Sequence, residues 1–504
     1  MSPRTRRILS ILCVNLLLTL ALLAVIEIFA RHREQDAGNR KLPPKGASEL
    51  RVFAFGGSTV YGRPVPELAA MAQLRFWLPR LYPDRDIRIF NFGHTGAATS
   101  DVLEQVTRRL ADQPDLVIVI TGGNEFLSPG ARADGWPARF HQTLLAHSAT
   151  LRLLQLREER VMASRKEFVM PCQVAPWDRE SAVFVRRMAG FEEDLKVIVQ
   201  RVSERGIKLI LGTLPSNLAE WPPVYKRLAD RNQQYLDAVA QIRNLTRAGK
   251  YREATDTLDA AFSIYSGDAM LYFLRGQLQS NMGNYAEARE SFVKARDLDP
   301  VPWRTSEQIN DIIRRVASQT AGVELLDLDK IYAEHSPNGL VGFDLLADNA
   351  HSTPLGESLS AKAIIEAMIK VGFLPPSPKV TEECCPVDTF LASDGFLQPK
   401  SPLHLQYLLE NATYVMKSPF LNYEASRRYL LEAMAVDDQS WKVWANLATL
   451  SYFMGDKDAG GKELQRATEL HRGPLNVNDR HATPYLKEAI EYADSGANTC
   501  GTPY

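Results

Sequence analysis

The sequence has few of the residues that mark metal-binding, disulfide-rich or nucleic-acid-binding proteins. Only five of its 504 residues are cysteines, and their spacing matches no metal site. Lysine and arginine number 59 against 60 acidic residues, so no basic excess exists to displace counterions from nucleic acid. We therefore expect no metal, no cofactor and no nucleic-acid partner. Four cysteines outside the first 30 residues are either free or disulfide-bonded: Cys172, Cys384, Cys385 and Cys500.

Charge is also missing from one long stretch near the amino terminus. Ile8 to Ile26 is nineteen residues long without a charge, and as a helix it would span roughly 28 Å, enough to cross a bilayer. Because no small-x-small cleavage site follows it, we predict an uncleaved anchor over residues 8–30. Residues 1–7 would then be cytoplasmic and 31–50 a linker. Basic residues flank both ends, but long domains translocate largely regardless of such charges. We therefore expect a single-pass membrane protein with its catalytic body in the periplasm.

Five short apolar runs predict a parallel β-sheet. Each run is nearly continuous rather than alternating, as in a strand that is buried on both faces. Most are followed by a glycine-bearing turn and a helix-compatible segment, which indicates βαβ units. The runs are 52–55, 86–92, 115–121, 207–213 and 323–328. The fold class predicted from them is α/β, and the α/β domain would comprise residues 51–224 and 301–372.

The segment between these two parts repeats itself. Gly249, Tyr251 and Ala254 recur as Gly283, Tyr285 and Ala288, each 34 residues later, which resembles the tetratricopeptide repeat. Inserted repeats are predicted over residues 225–300. A looser array is predicted over 403–495, after a linker at 373–402. Such repeats either serve as packing elements or offer a concave surface to a protein, peptide or glycan partner, and the sequence favours neither.

The first apolar run ends at Gly56-Gly57-Ser58. A glycine turn followed by serine and a helix presents a hydroxyl at the carboxyl edge of an α/β sheet. Taken alone, the same residues also suit an ordinary turn or a phosphate-binding loop.

Three further turns carry polar groups toward the same predicted edge. Asp348 and His351 are spaced so that the acid can accept the Nδ1 proton and leave Nε2 facing a nucleophile. Gly96 can offer a backbone N–H and Asn124 a side-chain amide to an oxyanion. Together these groups suit acyl transfer. His94 and His335 are rival bases, but His335 has no aspartate partner at similar spacing.

These four blocks resemble, in the same order, those of the SGNH (GDSL-type) hydrolase superfamily. Gly56-Gly57-Ser58 is similar to the nucleophile block with glycine in place of aspartate, and Gly122-Gly123-Asn124-Glu125 to the third block with glutamate in place of aspartate. Asn91 to Gly96 resembles the second block and Asp348-x-x-His351 the last. The resemblance implies a three-layer α/β/α fold with a five-stranded parallel sheet. It also implies a triad of Ser58, His351 and Asp348 with an oxyanion hole from Ser58, Gly96 and Asn124.

The function that this resemblance implies is cleavage of an acyl ester on a glycan or lipid through an acyl-enzyme. A Gly-x-Ser-x-Gly elbow is absent, which argues against the other large serine-esterase fold. Two alternatives stay open. One is an O-acyltransferase that modifies an extracytoplasmic polysaccharide. The other is an inactive scaffold whose repeats organise a membrane assembly.

Overall fold

The computed structural model describes residues 24–27, 42–127, 177–223, 233–416, 422–477 and 485–495. All but the last three residues of the uncharged run Ile8 to Ile26 lie outside these ranges. Within them, no helix combines the length and the apolar character that a membrane crossing needs. Every element named below belongs to one compact unit formed by residues 46–131 and 168–504.

All five predicted strands are present, and they form one parallel sheet. Their bounds are β1 Glu49–Gly56, β2 Asp86–Asn91, β3 Leu116–Ile120, β4 Lys208–Gly212 and β5 Val323–Leu326. All five residues of β3 are buried, as its uninterrupted Leu/Val/Ile sequence predicts. The register pairs Gly56 with Ile120, Ile120 with Gly212, and Gly212 with Leu326. Four strands therefore end level with one another at one edge.

The strand order, β2-β1-β3-β4-β5, sets where a ligand can bind. The chain leaves β1 toward β2 on one side and then returns to β3 on the other. Because such crossovers are right-handed, the two connections lie on opposite faces of the sheet and diverge at the carboxyl end of β1. A crevice opens at that switch point, and Ser58 follows β1 there.

Helices cover both faces of the sheet, which gives the three-layer arrangement. A short helix α1 (Ser58–Tyr61) follows β1. Helix α2 (Ala70–Leu81) packs against α11 (Pro354–Lys370) in one layer, whereas α4 (Ala182–Ser203) packs against α3 (Thr99–Arg109) and α9 (Glu307–Ser318) in the other. Helix α10 (Leu328–His335) follows β5.

The repeated segment is helical. Its helices are α5 Gln233–Arg247, α6 Tyr251–Ile264, α7 Ala269–Asn281 and α8 Tyr285–Asp297. An added Cβ on Gly276 would lie 2.7 Å from the ring of Phe292. The small residue therefore lets α7 and α8 approach each other closely, as the repeat pattern predicts.

The carboxyl-terminal part is also helical, and it packs directly on the α/β domain. Its helices are α12 Pro378–Glu382, α13 Val387–Ser393, α14 Pro402–Met416, α15 Tyr423–Val436, α16 Trp441–Phe453, α17 Lys457–His471 and α18 Leu486–Ser495. One buried apolar cluster joins Val65, Leu68, Trp221 and Ala347 to side chains of α13 to α16 and α18. The helices are therefore part of the same packed structure as the sheet rather than a tethered appendage.

Two of the four cysteines that the sequence left undecided are joined to each other. Cys384 and Cys385, adjacent in sequence between α12 and α13, form a disulfide. Cys172 and Cys500 lie outside the described residues. Trp221, which follows β4, is buried in the apolar cluster.

Candidate active site

Ser58 lies on a turn that is held by the neighbouring strand connection. The Nδ2 of Asn91 donates to the carbonyl of Val60 at 2.7 Å, which ties the second block to α1. Gly93 makes this approach feasible, because an added Cβ there would lie 2.3 Å from the backbone nitrogen of Tyr61. The segment from Asn91 to Gly93 therefore holds α1, which begins with Ser58, in place.

The structure brings Ser58, His351 and Asp348 into one hydrogen-bonded chain. His351 Nε2 lies 2.7 Å from Ser58 Oγ, and His351 Nδ1 lies 2.6 Å from Asp348 Oδ2. The other carboxylate oxygen of Asp348 accepts the backbone N–H groups of Ala350 and His351, each at 2.8 Å. The carboxylate thus fixes both the loop and the orientation of the imidazole.

Asp348, the acid of the hydrogen-bonded chain, is ionised although it is buried. Burial alone would raise the pKa of Asp348, but the charge and hydrogen bond of His351 and the N–H groups of Ala350 and His351 outweigh it and hold the pKa below its usual value. An ionised Asp348 accepts the Nδ1 proton, so Nε2 is free to accept a proton from the hydroxyl of Ser58.

The Asp348 loop does not follow β5 as directly as the sequence reading assumed. Helix α10 intervenes between β5 and this loop, and the loop then returns to the same edge of the sheet. Asn217 anchors it there, since its Nδ2 donates to the carbonyl of Asp348 at 3.2 Å and its backbone N–H donates to the carbonyl of Asn349.

Gly96 and Asn124 lie on the other side of the serine turn. Asn124 Nδ2 donates one hydrogen to the carbonyl of Ala97 at 3.0 Å, and an amide nitrogen carries a second. Gly96 has φ 81° and no heavy atom within 4 Å of an added Cβ position. An added Cβ at Gly57 would lie 2.7 Å from Asn124 Nδ2. Glycine at this position therefore lets the amide lie directly beside the serine turn, where an aspartate would collide with it.

Glu125 occupies the position at which the resemblance predicts an aspartate. Its side chain has a structural role. It is buried and accepts both the backbone N–H and the Oγ1 hydrogen of Thr99, at 2.8 and 2.7 Å. Burial raises its pKa, and the two bonds from Thr99 oppose that rise. The longer side chain thus links the Asn124 turn to the start of α3.

The two rival histidines lie elsewhere. The side chain of His94 is exposed, and its backbone N–H donates to the carbonyl of Gly56. His335, at the end of α10, is exposed and pairs its Nδ1 with the carbonyl of Ile331. Among the described residues, His351 is the histidine that contacts Ser58.

Sequence reasoning missed the side chains that the carboxyl-terminal helices bring to this site. The ring of Tyr414 on α14 stands edge-on to the imidazole of His351, with centroids 5.5 Å apart. The Oη of Tyr429 on α15 donates to the carbonyl of Ala347 at 2.5 Å. Burial raises the pKa of Tyr414, the charge of Asp348 raises it further, and the charge of Arg63 lowers it. No sequence signal distinguishes these tyrosines from ordinary helix-packing aromatics.

Two parts of the chain match models of known protein families. The model of the GDSL-like Lipase/Acylhydrolase family matches residues 54–258, which include Ser58, Gly96 and Asn124. Residues 54–258 are therefore similar to GDSL-like lipases and acylhydrolases. The tetratricopeptide repeat model matches residues 269–300, which cover α7 and α8. A search of curated proteins gives no match.

The solved structures to which the chain is similar include esterases and acylhydrolases. A catalytic mutant of an acetylxylan esterase from Geobacillus stearothermophilus is 13% identical, over 65% of this chain and 95% of that one, with a TM-score of 0.32. A lipase/acylhydrolase from Enterococcus faecalis is 14% identical, over 65% of this chain and 98% of that one, with a TM-score of 0.31.

Proposed function

We propose that this chain is a membrane-anchored serine esterase that cleaves an acyl ester carried by a glycan or lipid outside the cytoplasm. One observation carries the proposal. Ser58 Oγ, His351 Nε2, His351 Nδ1 and Asp348 Oδ2 form a continuous chain with contacts of 2.7 and 2.6 Å. A buried carboxylate, an imidazole and a partly exposed hydroxyl in this order make up a nucleophile with its base and orienting acid.

In the first step, Ser58 Oγ attacks the ester carbonyl carbon while His351 Nε2 takes the hydroxyl proton. The carbonyl oxygen becomes an oxyanion, and the backbone N–H groups of Ser58 and Gly96 and the amide of Asn124 are its proposed donors. When the intermediate collapses, the bond to the alcohol oxygen breaks, and His351 gives that oxygen the proton. The product is an acyl-serine and a free alcohol.

In the second step, water attacks the acyl-serine with His351 again as base, and the acid leaves. If an alcohol such as a sugar hydroxyl attacks instead, the same acyl-enzyme makes the chain an O-acyltransferase. Two features support an ester of a glycan or lipid as the substrate. One is the proposed esterase domain, and the other is the uncharged run Ile8 to Ile26, which would hold that domain at a membrane surface. The repeats are proposed to bind a protein or peptide partner.

Labelling with a fluorophosphonate probe tests the nucleophile. We expect the full-length protein to be labelled and Ser58→Ala to lose the label completely. Ser100→Ala is the matched control, because Ser100 is an exposed serine on the first turn of α3, and it should keep the label. A folded wild-type protein that stays unlabelled would favour the scaffold alternative and contradict the esterase.

Product analysis then separates hydrolysis from transfer. The protein is incubated with p-nitrophenyl acetate, with and without an oligosaccharide acceptor. Free acetate in both reactions identifies a hydrolase, whereas acetylated oligosaccharide identifies a transferase. Reporter fusions after Leu50 test the proposed periplasmic location, since a cytoplasmic signal from that fusion would contradict it.

A further inference from the structure

The nucleophile turn and the carboxyl-terminal helices together make a surface beside His351. Arg63 follows α1 by two residues, and its backbone N–H donates to the carbonyl of Ser58 at 3.1 Å. Its guanidinium carbon lies 5.2 Å from the ring centroid of Tyr414. Tyr414 in turn stands edge-on to the imidazole of His351, at an interplanar angle of 82°. These contacts place a cation and an aromatic ring next to the catalytic base.

This surface lies on the alcohol side of the proposed reaction. In ester cleavage by a serine and a histidine, the imidazole delivers its proton to the departing alcohol oxygen. The alcohol part of the substrate must therefore lie near His351, while the carbonyl oxygen faces the donors Gly96 and Asn124. A group bound by Arg63 and Tyr414 would belong to the alcohol and not to the acyl chain.

Arg63 is partly buried, and no carboxylate of the described residues forms an ion pair with it. Its side-chain contact among the described residues is the ring of Tyr414. Two other partly buried arginines do have acidic partners, since Arg109 pairs with Asp112 and Arg314 pairs with several acids, including Asp327. Partial burial of a cation costs free energy unless an anion or hydrogen-bond acceptors compensate it. The planar guanidinium of such an arginine can donate two parallel hydrogen bonds to a carboxylate or a phosphate.

We propose that Arg63 binds an anionic group, a carboxylate or a phosphate, on the alcohol part of the ester, while the ring of Tyr414 packs against that part. This inference rests on the proposed esterase function and narrows its substrate to an ester whose carrier is acidic. The C-terminal helices then complete the substrate site, because α14 supplies Tyr414 and the bond from Tyr429 to the carbonyl of Ala347 holds them against the catalytic loop.

The competing explanation is that Arg63 only clamps Tyr414 through a cation–π contact. Loss of a clamp would impair every substrate alike, whereas loss of an anion contact would impair anionic substrates selectively. The informative quantity is therefore the ratio of kcat/KM for an anionic ester to kcat/KM for a neutral ester of the same shape.

The experiment uses full-length protein and three acetyl esters whose nitrophenol products absorb visible light. The anionic esters are 4-acetoxy-3-nitrobenzoate and 4-acetoxy-3-nitrophenyl phosphate, and the neutral one is 4-acetoxy-3-nitrobenzamide. We expect Arg63→Gln to lower the anionic-to-neutral ratio by roughly 10- to 100-fold, as for a lost charge-assisted hydrogen bond. Arg63→Lys should lower the ratio less, because lysine keeps the positive charge but cannot donate the two parallel hydrogen bonds of a guanidinium. The ester with the higher wild-type ratio tells whether carboxylate or phosphate is preferred.

Arg205→Gln is the matched control. Arg205 is an exposed arginine between α4 and β4, at the amino edge of the sheet, and its replacement should leave the ratio unchanged. Raising the salt concentration should lower the wild-type ratio toward one, because salt screens a partly exposed charge. A wild-type ratio near one, or an equal loss on all three esters in Arg63→Gln, would overturn the inference while leaving the esterase intact. Wild-type protein that hydrolyses none of the three would overturn both.

Discussion

Replacing Glu357 with glutamine is expected to stabilise the protein at alkaline pH. Glu357 lies on α11, six residues after His351, and its side chain is buried. Its Oε2 accepts the backbone N–H of Ala70 at 2.8 Å, which joins α11 to the start of α2. A small cavity of about 30 Å³, lined by Glu357, Thr59 and Ser352 among others, lies alongside. Among the described residues, no basic side chain offsets the burial of this carboxyl, so the neutral form is favoured.

The direction of the pH effect follows from the pKa of this carboxyl. Burial raises the pKa of Glu357 from 4.5 to about 8, and the bond from Ala70 only partly opposes this rise. A carboxyl whose pKa is higher in the folded state stabilises the protein fully below its unfolded pKa. That stabilisation is lost as the pH rises from about 4.5 through about 8. A difference of about 3.5 between two pKa values corresponds to about 5 kcal/mol.

Thermal melting measures the effect. The wild-type melting temperature should decrease as the pH rises and Glu357 becomes charged. In Glu357→Gln the side chain has the same shape but cannot ionise, so this decrease should be absent. Between pH 5 and pH 9 about 4 kcal/mol of this stabilisation is lost. We therefore expect the wild-type melting temperature to drop relative to the variant by roughly 4 °C, at about 1 °C per kcal/mol for a chain of 504 residues.

Glu366→Gln on the same helix is the control, because Glu366 is only half-buried and the same chemical change there should leave the pH profile as in the wild type. Parallel profiles for wild type and Glu357→Gln would refute the reasoning, and so would an equal change in Glu366→Gln.

Three further substitutions test the site. Asn124→Ala should lower kcat for p-nitrophenyl acetate roughly 10²- to 10³-fold with little change in KM, because a transition-state donor is lost; a proportional rise in KM would contradict that role. Asp348→Asn should lower kcat about 10⁴-fold by favouring the wrong tautomer of His351, and near-wild-type turnover would exclude the triad. Tyr429→Phe leaves the buried carbonyl of Ala347 without its donor and should cost about 1–3 kcal/mol, measured by urea unfolding; no loss of stability would show that the bond contributes nothing.

The parts of this fold that the sequence predicts are those encoded locally. The strand β3 is a short run of Leu, Val and Ile, and such a run specifies burial on both faces without reference to the rest of the chain. The Asp348 and His351 pair is likewise local, since three residues of spacing suffice to define its geometry. The start of α11 carried a local signal too. It begins at Pro354, with Thr353 as the capping residue, and both residue types favour a helix start at these positions.

Contacts between distant segments were beyond that reasoning. Tyr414 and Tyr429 read as ordinary aromatics of amphipathic helices, because periodicity tells which face is buried but not which partner covers it. Arg63 likewise belongs to no motif, and only the structure shows that no acidic side chain of the described residues pairs with it. The relation of the carboxyl-terminal helices to the catalytic loop therefore could not be derived from a single sequence.

The bond between Ser58 and His351 joins residues 293 positions apart, and the whole inserted repeat region lies between them. A ribosome releases Ser58 long before His351 is synthesised, and Tyr414 and Tyr429 later still. Under the proposed mechanism, a chain that ends before residue 351 would contain the nucleophile without its base. Such a chain is expected to be unreactive toward esters, so the growing polypeptide would not attack acyl groups before His351 has been added.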